Sequence, residues 1–425
     1  MGAASSGGAK DNNSFLASPL SAPYPLPSSL SHEGTLYSHF FPVTPTSTEI
    51  LKCEFTAASC PDPFSGKEEH FLCVGTASKY DGGGLRKLGG RPPVGLVFVL
   101  DVSGSMGGTF HPRSTKEMRA GADINKTKEE GTLLDAAKEA LLGLLNNMKE
   151  GDCFGLVSFD TRAQVEFPLT QWKGEETKKE VTQIINNIKL RGGTDLTCGF
   201  DEAVNEFEKE EIKELKMNRR VFFLTDMCMT VGNSYTFLDH VTTAARPSPS
   251  SPTSPSAPPV HTTVIGFGFD FDTELSRCFS QIPLCNFFSV FSTQEFIHQM
   301  TFDFDYLVFP IAKDVIVEVV RKEGEGGGAV EKVIGSSEKS LKGHSKETVM
   351  VLDGVFPSQA QGNRKEVSED GTEERVQNAE TRGGVVLVKL GGLKGGEKVN
   401  VRVSFVTYEG EKVESEEEVV FPLWE

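Results

Sequence analysis

The sequence holds no run approaching 18 apolar residues, so nothing in it spells a membrane-crossing helix. Its eight cysteines include no C-x-x-C pair, and no zinc knuckle is spelled out. There is no H-E-x-x-H, no G-x-S-x-G and no G-x-x-x-x-G-K-[ST] loop. Metalloprotease, α/β-hydrolase and P-loop chemistry are thus left without their signatures. Basic residues are in deficit: 43 Lys and Arg stand against 60 Asp and Glu, a formal net charge of −17. That balance argues against nucleic acid as partner and against electrostatic attachment to anionic lipid.

The opening residues, "MGAASSGGAKDNNSFLASPLSAPYPLPSSL", have no apolar core of the secretory kind. On that reading the cysteines are reduced thiols and the protein is cytoplasmic. The first six residues fit the N-myristoylation pattern, with Gly2 as acceptor and Ser6 in the hydroxyl position. A single acyl chain anchors only marginally, and no basic cluster or cysteine stands nearby as a second signal. The plainer reading of residues 1–45 is a disordered Ser/Pro-rich tail.

What the chain does have is a change of texture. Residues 46–92 contain two alternating stretches, "STEILKCEFTAAS" and "EEHFLCVGTAS", which predict β-strands. From residue 93 to 303 buried-type strands such as "VGLVFVLD" and "RVFFLTD" alternate with amphipathic helices such as "GTLLDAAKEALLGLLNNM". Such a series predicts a doubly wound, mostly parallel sheet with helices on both faces. Inserts interrupt it at 107–130 and at the proline-rich 246–259. Residues 304–425 read as strands without helices, the mark of a β-sandwich, with a polar insert at 357–382. The two early strands are expected to join that sandwich, since two strands alone rarely stand.

The chemistry gathers where the apolar strands end. "VGLVFVLDVSGSM" runs into Asp101, Ser103 and Ser105, and "RVFFLTD" ends in Asp226. Ligands of doubly wound sheets bind outside the carboxyl ends of strands, where the strand order reverses. "RGGTD" offers Thr194 on a third loop, with Gly192 and Gly193 allowing close backbone approach. Two carboxylates and three hydroxyls form a hard, all-oxygen donor set, suited to Mg²⁺, with Mn²⁺ or Ca²⁺ as substitutes, rather than Zn²⁺.

"DVSGSM", "GGTD" and "LTD", in that order on an α/β region, resemble the von Willebrand factor type A family and its metal-ion-dependent adhesion site. Within the family, "PPVGLVFVLDVSGSM" and "VHTTVIGFGFDFD" are most similar to intracellular plant-type members. The resemblance implies a Rossmann-like domain in which Ser103 and Ser105 bind the metal directly. By the same resemblance Thr194 binds directly or through water, and Asp101 and Asp226 act largely through water or as anchors behind the direct ligands. It also implies a protein partner whose Asp or Glu carboxylate completes the coordination. Two features depart from the family pattern: the 107–130 insert beside the turn, and Met227 where glycine usually follows the last aspartate.

The expected function is therefore metal-dependent protein binding, without catalysis. A noncatalytic scaffold or ubiquitin-pathway adaptor, acting through the sandwich and the proline-rich insert, is the alternative. Cys53, Cys60, His70 and Cys73 invite a zinc reading, although cysteine in a strand is usually a small buried hydrophobe.

Overall fold

A computed structural model describes residues 48–110, 131–226, 233–246, 258–267, 282, 284–290, 292–298, 300–301, 304–320, 328–335, 341, 344–357, 360–361, 365–367, 373–375, 380–381 and 385–423. The tail with Gly2, most of the 107–130 insert, Met227 and most of the proline-rich insert lie outside these residues.

The first elements among the described residues are β1 (Lys52–Pro61) and β2 (Glu68–Ala77), an antiparallel hairpin. A short helix, α1 (Gly84–Lys87), occupies the glycine-rich connector. Then comes β3 (Val94–Asp101), every residue of which is buried. The alternation continues through α2 (Leu133–Leu144), β4 (Cys153–Phe159), β5 (Ala163–Gln171), α3 (Glu175–Asn187), α4 (Leu196–Phe207), α5 (Glu210–Lys213) and β6 (Asn218–Thr225). It ends with α6 (Ser234–Ala245), β7 (Val260–Phe267), β8 (Asn286–Val290), α7 (Thr293–His298) and α8 (Phe304–Val308).

These strands form one sheet in the order β5-β4-β3-β6-β7-β8, parallel except for β5. The period of two along β3 explains its uniform apolarity. Leu96, Phe98 and Leu100 enter one core with α2, α3, α7 and α8. Val97 and Val99 enter the other with α4, α5 and α6. The chain leaves β3 toward β4 and later returns to the opposite side of β3 as β6. The strand order therefore reverses between the carboxyl ends of β3 and β6, where Asp101 and Asp226 stand.

The remaining strands are β9 (Ala312–Val320), β10 (Ala329–Ile334), β11 (Thr348–Val355), β12 (Ala360–Gln361), β13 (Lys365–Val367), β14 (Glu373–Arg375), β15 (Glu380–Thr381), β16 (Val385–Gly391), β17 (Lys398–Thr407) and β18 (Lys412–Val420). Two four-stranded sheets result, β1-β2-β16-β10 and β11-β9-β17-β18. They share a single apolar core, with Leu72, Val74 and Val388 from the first meeting Val317, Val401 and Val403 from the second. That is a β-sandwich, and the early hairpin belongs to it.

Two local outcomes differ from the sequence reading. Phe304–Val308 is helical, where the apolar run suggested a strand from Asp305. Phe304 and Val308, four residues apart, both enter the α/β core, and Pro310 separates the helix from β9. The polar insert at 357–382 is laddered in part, β12 pairing with β15 and β13 with β14.

One arginine joins the two ends of the α/β region. Arg91, in the connector before β3, donates from both terminal nitrogens to the Asp152 carboxylate at 2.7 Å each. Its Nε donates to Asp305 Oδ1 of α8 at 2.8 Å. Asp152 also accepts the Val94 and Lys149 N–H groups. Thus the chain's entry into the α/β region and its exit from it are held by one guanidinium.

Candidate metal centre

Three chain segments converge at the carboxyl ends of β3, β4 and β6. The first is the D-x-S-x-S turn. Asp101 is fully buried, and its Oδ1 accepts the Ser103 N–H at 2.9 Å. That bond curls the chain back on itself and leads into a single 3-10 turn, Gly104–Gly107. Ser103 is buried and Ser105 exposed, with their hydroxyl oxygens 3.0 Å apart. The pair therefore runs from the protein interior to its surface.

The second segment is the 190–195 loop. Its backbone is stitched to the first: Arg191 N–H donates to Val102 O at 2.6 Å, and Gly104 N–H to Gly192 O at 2.9 Å. A Cβ on Gly192 would lie 3.3 Å from Asp160 Oδ2, a tight contact that marks how closely the loop approaches the end of β4. Thr194 is 1% exposed. It directly precedes Asp195, the N-cap of α4, whose side chain accepts the Thr197 N–H.

The third segment is the end of β6. Thr225 donates its hydroxyl to Asp101 Oδ2 at 2.7 Å, and Asp226, the next residue, is 5% exposed. Burial pushes the Asp101 carboxyl up to about 6, the charge of Asp226 adds to the rise, and the Ser103 and Thr225 hydrogen bonds oppose it. Two carboxylates withdrawn from water beside each other are costly as anions.

The structure thus brings Asp101, Ser103 and Ser105 onto one turn and stitches the Thr194 loop against it. It sets Asp226 next to a residue bonded to Asp101. Met227 lies outside the described residues. The four residues of the zinc reading are dispersed along the β1–β2 hairpin: in the register Cys53 faces Thr76, Thr56 faces Cys73, and Cys60 faces Glu69. His70 instead bonds Ser59 at 2.9 Å and meets the Phe421 ring edge-on. Among the described residues no group of three or more His, Cys, Asp or Glu side chains is gathered as a metal cluster. The oxygen set at the strand ends is of another kind, two carboxylates eked out by hydroxyls, and it suits a hard divalent cation.

Residues unremarked in the sequence buttress the site. Thr225 gave a signal only as the middle letter of "LTD". Asp160, at the end of β4, accepts the Gly192 N–H at 3.1 Å through Oδ2 and the Asp195 N–H at 2.7 Å through its carbonyl. Its only sequence signal was its place after a buried strand, like that of Asp101 and Asp226.

Residues 96–228 match the family model of the von Willebrand factor type A domain. Inter-alpha-trypsin inhibitor heavy chain H4 of Bos taurus is 29% identical over 145 residues, 33% of this chain and 13% of that protein. The uncharacterized protein sll0103 of Synechocystis is 28% identical over 136 residues, 32% of this chain and 26% of that protein. The matches therefore take in no more than 26% of either relative's length. A solved structure, the von Willebrand factor type A protein from Catenulispora acidiphila, superposes with a TM-score of 0.53 at 13% identity. That likeness covers 90% of this chain and 76% of the other, so it takes in the flanking sheets as well, and it is a likeness of fold. No helix among the described residues is long and apolar enough to cross a membrane. From the strand order, the D-x-S-x-S turn and the family match together, residues 96–228 of this chain are a von Willebrand factor type A domain.

Proposed function

We propose that the chain binds a protein partner through a divalent cation held by Asp101, Ser103, Ser105, Thr194 and Asp226. Mg²⁺ is the ion this set favours, with Mn²⁺ or Ca²⁺ as substitutes. The observation that carries the reading is the buried Asp101 carboxylate. Among the described residues its donors are neutral, the Ser103 N–H and hydroxyl and the Thr225 hydroxyl, while Asp226 adds a second negative charge nearby. Among the described residues no lysine or arginine is ion-paired with Asp101. Both observations support a cation at this end of the sheet.

When bound, the ion supplies an electrophilic centre with a position left for an Asp or Glu carboxylate of the partner. Two protein carboxylates neutralise a divalent ion and the hydroxyls add no charge, so attraction for a third carboxylate survives. Exposed Ser105, Gly104 and Gly108 border the approach from solvent. Von Willebrand factor type A domains often mediate protein–protein interaction, and the reading here is of a binding module, not an enzyme.

The test is a pull-down from native lysate with the purified chain, in parallel with Mg²⁺, with EDTA, and with Asp101→Ala or Asp226→Ala in Mg²⁺. Partners lost in the EDTA and mutant lanes are the expected result. Partners retained in every lane overturn the metal bridge and move binding to the sandwich or the proline-rich insert.

A further inference from the structure

We propose that Arg191 and Asp160 form a clasp that positions Thr194 for the cation, setting metal affinity without touching the metal. The proposal rests on the metal-site reading above.

Thr194 stands on a loop whose neighbours on both sides are tied to one residue. Gly192, two positions before it, donates its N–H to the Asp160 side chain, and Asp195, the next residue, donates its N–H to the Asp160 carbonyl. Asp160 is itself held in a tight turn, its Oδ1 accepting the Arg162 N–H at 2.9 Å. The loop is thus pinned to the end of β4 at two points that bracket Thr194.

Arg191 closes the other side. Its N–H bonds the carbonyl of Val102, the residue between Asp101 and Ser103. Its side chain meanwhile crosses the β4–β5 hairpin, donating to Ser158 Oγ at 3.0 Å and Gln164 Oε1 at 2.9 Å. The guanidinium ends between two carboxylates, 3.8 Å from Asp160 and 3.8 Å from Glu166. One residue therefore joins the turn that carries Ser103 and Ser105 to the strand pair that carries Asp160. Without the guanidinium, the spacing between the two hydroxyl-bearing loops would rest on the Arg191–Val102 and Gly104–Gly192 backbone bonds and on Asp160, with no side-chain brace to the β4–β5 hairpin.

A network of this sort orients a ligand while leaving the coordinating atoms unchanged, and loss of such support typically costs ten- to hundredfold in metal affinity. The group affected is Thr194, which makes the idea separable from simple stabilisation. A positioning residue that acts through Thr194 has nothing left to act on once Thr194 is gone.

The experiment titrates Mn²⁺ into the full chain and reads free ion by electron paramagnetic resonance, for wild type, Arg191→Gln, Thr194→Ala and the double variant. Arg191→Gln is expected to raise the Kd about tenfold. In the Thr194→Ala chain the same change is expected to add less than about twofold, the limit for additivity between sites. An unchanged Kd in Arg191→Gln, or a full tenfold effect in the Thr194→Ala chain as well, overturns the clasp. A wild-type chain that takes up no Mn²⁺ overturns the clasp and the metal site together, so the two failures are distinguishable. Should Arg191→Gln lose its far-ultraviolet circular dichroism, Asp160→Asn serves in the same cycle, since it keeps an acceptor oxygen and the side chain's size.

Discussion

Thr225 Oγ1 donates to Asp101 Oδ2 at 2.7 Å, bridging the carboxyl ends of two neighbouring parallel strands. The bond lies wholly out of water, and it fixes the residue immediately before Asp226 against the residue that opens the D-x-S-x-S turn. Thr225→Val keeps the β-branched shape and deletes the donor. It is expected to cost about 1–3 kcal/mol, the penalty for leaving a buried acceptor short of a partner. Urea denaturation of the metal-free chain measures it, and a loss below about 0.5 kcal/mol would contradict the role given to Thr225.

Metal removal gives a second expectation. A ligand that binds the folded chain alone stabilises it by about 2.7 kcal/mol at a hundredfold excess over its Kd. Calorimetric scans with Mg²⁺ should therefore show a higher Tm than scans with EDTA. Asp101→Ala and Asp226→Ala should remain folded yet lose that increment. Equal shifts in wild type and both variants would place the ion elsewhere.

The Arg91–Asp152 pair supplies a third. Both side chains are 1% exposed, so Arg91→Met would strand the Asp152 carboxylate in the interior. Breaking a buried pair from one side costs about 3–5 kcal/mol. Asp152 would keep the Val94 and Lys149 N–H donors, which sets the expectation at the lower end. Equilibrium unfolding in urea reads it directly.

The start of α2 yields a pH dependence. Thr132 and Asp135 form a reciprocal capping box. The Thr132 backbone N–H, and after it the Thr132 hydroxyl, hold the Asp135 carboxyl below its ordinary 3.8. Its contribution is therefore present above that value and fades as pH falls through the lower folded one. A carboxyl-detected NMR titration should place the Asp135 midpoint below 3.8 in the wild type. Thr132→Ala, which keeps the N–H donor, should bring it only part of the way back.

Much of this architecture was legible from residue order alone. Strands covered on both faces carry long apolar runs, so β3 and β6 announced themselves, and each ran into a carboxylate that no apolar core would bury without reason. The supporting residues were not legible, because they act across pairings that only the sheet order creates. Arg91 and Asp152 are 61 positions apart, and Arg191 reaches Ser158 from 33 positions away. Nothing local marks either arginine as different from a solvated one. The helix at Phe304–Val308 escaped notice for a different reason: a short apolar run has no periodicity long enough to tell a helix turn from a strand.

The α/β region sits inside the sandwich's own chain: β1 and β2 precede it, and the strands that complete their sheet follow it. Lys389 and Glu69, ion-paired on neighbouring strands of that sheet, are 320 residues apart in the chain. Closing so long a loop adds little to the thermodynamic cost, which grows only logarithmically. Its kinetic effect is larger, since pairings between distant segments slow folding. During synthesis the early hairpin leaves the ribosome with an unpaired edge, and it must wait through the whole α/β region before β16 arrives. A nascent chain halted just after β8 would carry one finished sheet and half of another.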